Sequence, residues 1–191
     1  ALSEATDGGG AGAKVVFGVI IGTGTGGGLV IDGRPLVGAN AIGGEWGHNP
    51  LPWPTLDELP GPPCYCGRTG CLETFLSGPG LSRDYAVAGG TERSASEIAR
   101  MAADGDPAAR AAVERHADRL ARGLATVINL VDPDVVVLGG GLSNLDGLYT
   151  QVPELWTPYV FSDRVDTRLV RPVHGDSSGV RGAAWLWAPT V

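Results

Sequence analysis

Cys64, Cys66 and Cys71 fall within one eight-residue run, Cys-Tyr-Cys-Gly-Arg-Thr-Gly-Cys. Thiolates this close, with Gly67 and Gly70 letting the backbone fold back between them, can take three corners of a tetrahedron around zinc. The chain has three histidines. His116 falls in a helical apolar stripe and His174 is far along the sequence, which leaves His48, in the same irregular segment, as the fourth ligand. A Cys3His set has no open coordination position, so the metal is expected to be structural and to fix the loop. The alternative is three free thiols in a reducing cytosol; a disulfide framework with even pairing fits poorly.

Two carboxylates stand beside these ligands. Glu45 lies three residues before His48 and Glu73 two residues after Cys71. Held by a rigid knot, they are pre-positioned acceptors for the vicinal hydroxyls of a polyol; otherwise they are two solvated surface glutamates. Gly22-Thr23-Gly24-Thr25-Gly26-Gly27-Gly28 follows one apolar run and precedes another. Its glycines allow close backbone approach to a phosphate and its threonines can donate to phosphate oxygens. It matches neither the Walker loop nor the dinucleotide fingerprint, and a tight hairpin without ligand remains an equal reading. Gly139-Gly140-Gly141, between a buried strand and a helix, is a second signal of this kind.

Several elements must position these groups. Val15–Ile21 is an apolar run of strand length, and residues 29–31 form its partner before an Asp32-Gly33 turn. Residues 34–70 carry many prolines and glycines without helical period, as functional loops do. Helices are predicted near residues 72–76 and 81–88. Another opens at Ser94, whose Ser-x-x-Glu spacing is that of a capping box. A longer helix starts at Asp106-Pro107 and runs to about Leu130, burying Val113, His116, Leu120, Leu124, Val127 and Ile128 until Pro133 ends it. A strand over residues 134–138 follows, then helix, strand and helix over residues 152–160, 167–170 and 180–187. Ala1 to Ala5 reads as the tail of a helix, broken by Thr6-Asp7-Gly8-Gly9-Gly10, so the chain reads as beginning mid-element.

With 191 residues, of which 43% are hydrophobic and 18% charged, one compact domain over residues 1–191 is expected. A net charge of −7 without a basic stripe argues against nucleic-acid binding. No apolar run reaches membrane-spanning length and no signal peptide is recognisable, so the expected address is cytoplasmic, with no membrane partner.

Together these segments resemble the ROK family (repressors, open reading frames and kinases) over nearly the whole chain. Residues 22–28 look like its second phosphate loop, Gly44-Glu45-Trp46-Gly47-His48 like its E-x-G-H motif, and residues 64–73 like its C-x-C-G-x-x-G-C-x-E motif. The resemblance implies an α/β chain of the actin-like ATPase (ribonuclease H-like) fold, mainly the larger C-terminal domain with a zinc-binding loop insertion. It implies zinc on His48, Cys64, Cys66 and Cys71, and sugar hydroxyls on Glu45, His48 and Glu73. ATP with Mg2+ would lie on Gly22, Thr23, Gly24, Gly139, Gly140 and Gly141.

The implied reaction is transfer of the γ-phosphoryl of ATP to a hexose, usually its 6-hydroxyl, by a homodimeric enzyme. Gly-Glu-Trp-Gly-His-Asn-Pro-Leu-Pro-Trp is most similar to fructokinases and mannokinases; N-acetylglucosamine kinases and glucokinases are the alternative. Family kinases also carry an Asp-x-Gly-Gly-Thr loop and an Asn-Asp-x-Asn segment whose Asp is the catalytic base. Neither occurs here, and Asp7 lies on the wrong side of the first helix to replace it. The expectation is therefore no catalytic base in this chain: a fragment, inactive in isolation, a truncated product, or part of a larger polypeptide. The sugar-sensing part of a ROK repressor and a zinc-stabilised structural domain are the other readings.

Overall fold

The computed structural model describes residues 1–186. A short helix, Leu2–Asp7 (α1), leads to the strand Val15–Ile21 (β1), which pairs antiparallel with Thr25–Ile31 (β2). Ile21 stands opposite Thr25, so residues 22–24 form the turn, closed by the Gly22 amide donating to the Gly24 carbonyl at 2.9 Å. Arg34–Pro35 (β3) pairs with the outer side of β2. A helical stretch follows: Leu72–Leu76 (α2), Gly78–Val87 (α3), Ala95–Ala103 (α4) and Pro107–Val131 (α5). It ends in Val135–Gly139 (β4), parallel to β1, and after Leu148–Trp156 (α6), Arg168–Val170 (β5) pairs parallel with β4. The last described helix is Ser178–Trp185 (α7). The sheet order is β3-β2-β1-β4-β5.

Strand alternation gives this sheet two buried faces. Phe17, Val19 and Ile21 of β1 and Val136 and Leu138 of β4 pack into the main core with α2 to α6, while Val16, Val30, Val135 and Val137 face Leu2 and Ala5 of α1. The long helix takes its predicted form for its predicted reasons. The Asp106 side chain accepts from the Ala109 amide at 2.8 Å, Pro107 opens the first turn, and Asp132 ends it in the left-handed region at φ 48°. Ser94 and Glu97 form the capping box of α4.

Several boundaries differ from expectation. Helix α3 begins at Gly78 rather than near Leu81, because the Ser77 hydroxyl caps it by accepting from the Gly80 amide at 3.2 Å. Helix α6 begins at Leu148, since Leu148, Val152 and Trp156 form an i, i+4, i+8 stripe that is buried; a 3-10 turn continues it over Thr157–Tyr159. Helix α1 includes Thr6 and Asp7, the Thr6 hydroxyl donating to the Leu2 carbonyl at 2.8 Å. The predicted helix end at Trp187 lies outside the described residues.

A buried carboxylate clasps α1 to the C-terminal segment. Glu4 accepts from the amides of Gly9, Val173 and His174 at 2.9, 3.0 and 3.1 Å and from the Ser178 hydroxyl at 2.6 Å. Burial alone would raise its pKa, but these hydrogen bonds outweigh it and hold the carboxyl at about 2.

Candidate metal centre and adjoining clefts

His48, Cys64, Cys66 and Cys71 offer ligand atoms that all lie within 4.8 Å of one another. Cys66 Sγ and Cys71 Sγ are 3.6 Å apart, and Cys64 Sγ is 3.4 Å from His48 Nδ1. A tetrahedron with zinc–sulfur bonds of about 2.3 Å has sulfur–sulfur edges of about 3.8 Å, so the donor set suits a closed Cys3His zinc site. Burial, and then the neighbouring sulfurs of Cys66 and Cys64, push the Cys71 thiol up to about 12. A divalent cation bound among these sulfurs would relieve that crowding and favour the thiolates. His116 and His174 lie elsewhere: His116 is buried, which lowers its pKa to about 4 and keeps it neutral, and His174 Nε2 sits 2.7 Å from Asp7.

The loop that carries this cluster is stitched to the β1–β2 hairpin. The Trp46 indole donates to the Gly26 carbonyl at 3.0 Å and meets Phe17 edge-on, with centroids 5.6 Å apart. The amides of Leu72 and Glu73 donate to the carbonyls of Asn49 and Gly47, both at 2.8 Å. Gly47 packs so closely on the hairpin that a Cβ there would stand 1.9 Å from the Thr25 carbonyl oxygen. Gly47→Ala is therefore expected to lower stability by ~1–3 kcal/mol, read as a lower thermal midpoint.

Glu73 closes the seam: its Oε2 accepts from the Thr25 amide at 2.9 Å, and a Cβ on Gly24 would lie 2.6 Å from the same oxygen. The Thr25 hydroxyl beside it is buried and, among the described residues, has no hydrogen-bond partner. Glu45 is exposed, and the Glu45 and Glu73 carboxylates both act on the Tyr65 phenol, whose pKa is raised by Glu73 first, then by its environment, the cysteines and Glu45. Tyr65 stands at this site although no motif spacing singles it out. Its hydroxyl is 2.9 Å from His48 Nε2, and its only sequence signal is an aromatic residue set between two cysteines of the cluster.

On the other side of the hairpin turn lies a cleft of about 680 Å3, lined by Gly22 and Thr23, by Gly141, Leu142, Asn144 and Leu145 after β4, and by the starts of α3 and α4. The two glycine runs meet here, with the Gly140 Cα 4.0 Å from where a Gly22 Cβ would stand. Their members divide by role. Gly22, Thr23 and Gly141 line the cleft, and Gly24 turns toward Glu73. Gly140, at φ 83°, packs on the Ile21 carbonyl, and Gly139 is the last residue of β4, under Ile20. Residues 25–28, read as part of a phosphate loop, are strand residues of β2.

A buried ion network anchors the proline-rich loop ahead of the cysteines. Arg122 of α5 donates to both oxygens of Glu58, at 2.8 and 2.9 Å, and to the carbonyls of Pro52 and Trp53, at 3.2 and 2.8 Å. Arg119 joins Glu58 to Asp84 of α3, at 2.7 and 2.6 Å.

Comparison with known proteins matches residues 1–190 to the ROK family. An N-acetyl-D-glucosamine kinase of Erwinia tasmaniensis is 44% identical over 190 residues, covering 97% of this chain and 63% of the relative. A ROK hexokinase from Thermus thermophilus superposes with a TM-score of 0.84 at 36% identity, over 96% of this chain and 60% of that one. A ROK family glucokinase from Streptomyces griseus, solved with glucose and AMPPNP, gives 0.82 at 27% identity, over 97% and 64%. The chain thus spans somewhat under two thirds of the length of each. With these neighbours, the five-stranded mixed sheet is that of the actin-like ATPase fold.

Proposed function

The chain belongs to the ROK family, and on that footing we propose that it carries the sugar-holding and part of the nucleotide-holding apparatus of an ATP-dependent hexose kinase. N-acetyl-D-glucosamine is the first-ranked acceptor. The observation that supports this most is the position of the hairpin turn: Gly22 and Thr23 line the cleft on one side, while Gly24 and Thr25 touch Glu73 on the other. A phosphoryl donor seated on the first face and a hydroxyl acceptor seated on the second would meet across this turn.

In this reading Glu45, His48 and Glu73 hold sugar hydroxyls, and Gly22, Thr23 and Gly141 receive the nucleotide, with Gly24, Gly139 and Gly140 shaping the turn and strand end behind them. His48, Cys64, Cys66 and Cys71 would hold zinc, whose contribution is to fix the loop between His48 and Glu73. Glu73, already accepting from the Thr25 amide, is a positioning acceptor rather than a base. Mg2+ would accompany the nucleotide phosphates. The chain supplies orientation and electrostatics, from which most catalysis of phosphoryl transfer comes. Three reduced thiols in one site suit a cytoplasmic setting.

The relatives' names favour N-acetylglucosamine over fructose and mannose, which the residues after His48 had put first. Glucose follows from the names of the superposed structures. Glu73→Gln tests the site: loss of charge-assisted hydrogen bonds, worth ~1.5–3 kcal/mol, is expected to weaken the preferred sugar roughly 10- to 150-fold in calorimetric titration. Zinc content should stay unchanged. A Glu73→Gln protein that binds every tested hexose like the parent contradicts the assignment.

A further inference from the structure

We propose that Tyr65 sets the affinity of the sugar site by occupying His48 in the free protein. This rests on the reading of His48 as a sugar contact. His48 Nδ1 faces the Cys64 sulfur at 3.4 Å, so a metal at the knot takes that nitrogen. The ring's one remaining proton then sits on Nε2 and can only donate. Its acceptor here is the Tyr65 hydroxyl, at 2.9 Å, with the tyrosine ring edge-on to the imidazole, centroids 5.0 Å apart and planes at 88°. One N–H therefore faces two acceptors, the phenol and an incoming sugar hydroxyl, and serves them in turn.

The surroundings allow this exchange. The Tyr65 backbone is pinned between Cys64 and Cys66, whereas the residue is 84% exposed, so its side chain can rotate away while the knot stays in place. The displaced phenol finds water, so the exchange loses only one neutral, solvent-accessible hydrogen bond. That corresponds to roughly two- to tenfold in sugar affinity. Only a sugar that bonds His48 must displace Tyr65; a sugar that leaves His48 alone is indifferent to it.

The experiment compares zinc-loaded parent, Tyr65→Phe and Glu73→Gln proteins, using calorimetry with N-acetylglucosamine, glucose, mannose and fructose and nitrogen NMR of the histidine rings. Tyr65→Phe keeps the ring and removes the competing hydroxyl. The expected results are a two- to tenfold tighter Kd for the preferred sugar and a shifted, faster-exchanging His48 Nε2–H signal in the sugar-free variant. Equal or weaker sugar binding by Tyr65→Phe, or a sugar-free His48 signal that does not move, overturns the proposal. If the parent binds and Glu73→Gln does not, while Tyr65→Phe equals the parent, only the role of Tyr65 falls. If no protein binds any of the four sugars, the sugar-site reading falls and this inference with it.

Discussion

Cys66→Ala is expected to abolish stoichiometric zinc and, with it, hexose binding. Removing one thiolate opens a tetrahedral site whose donor cluster has no fifth member among the described residues, His116 being buried in the core and His174 engaged with Asp7. Loss of a mere supporting partner of a metal ligand costs roughly 10- to 100-fold in affinity, and loss of a ligand itself should exceed that. The sugar effect follows from the chain of contacts. Glu73 is two residues from Cys71, and its amide and carboxylate both lie in the seam with Gly47 and Thr25. Without metal, the loop keeps its hydrogen bonds to the hairpin but loses the closure between residues 48 and 71, so the carboxylates lose their common frame. Elemental analysis reads the first effect and calorimetry the second. A Cys66→Ala protein that lacks zinc yet binds sugar tightly would sink the link between knot and pocket.

Glu58→Gln is expected to be the most destabilising single change at the loop. It removes the carboxylate shared by the buried guanidinium groups of Arg119 and Arg122, which keep Asp84 and Asp118 as their remaining anions, and the loss of such charged hydrogen bonds costs ~1.5–3 kcal/mol. For a domain of this size that is a drop in Tm of up to about 10 °C. Burial would raise the Glu58 carboxyl, but hydrogen bonds from Arg122 and Arg119 prevail and hold it at about 2. Because this lies below the unfolded value, the stabilisation is fully present above about pH 4.3 and is lost as pH falls through about 2, an amount of roughly 3 kcal/mol. The stability difference between parent and Glu58→Gln should therefore be constant near neutrality and shrink in acid. Glu4, also held at about 2, is present in both proteins and cancels from the comparison. A difference that persists unchanged to pH 2 contradicts the ion-pair origin of the effect.

How much of this was legible beforehand follows the range of each signal. The knot could be read because Cys64, Cys66 and Cys71 are close in sequence, and the caps of α4 and α5 because Ser94, Glu97, Asp106 and Pro107 act within one turn. The start of α3 was missed although Ser77-Gly78-Pro79 is also a local cap signal. The cleft is different in kind. Pro79, Ser82, Ser94 and Asn144 come from three separate segments that meet only through packing, and no spacing announces them. The same holds for Glu58, which finds Arg122 across 64 positions. Glycine runs mislead in their own way: residues 26–28 belong to β2, where a Cβ on Gly27 would meet the Phe17 ring at 2.7 Å, so packing explains a glycine that looked like part of a ligand loop.

The most direct test is zinc stoichiometry combined with calorimetric titration of N-acetylglucosamine, glucose, mannose and fructose, before and after removal of the metal by a chelator. One zinc per chain, sugar binding with N-acetylglucosamine preferred, and loss of that binding on chelation are the expected results. A protein that carries no zinc as isolated, or one that binds its sugar equally well with the metal stripped, would contradict the claim that a zinc-fixed loop builds the sugar site.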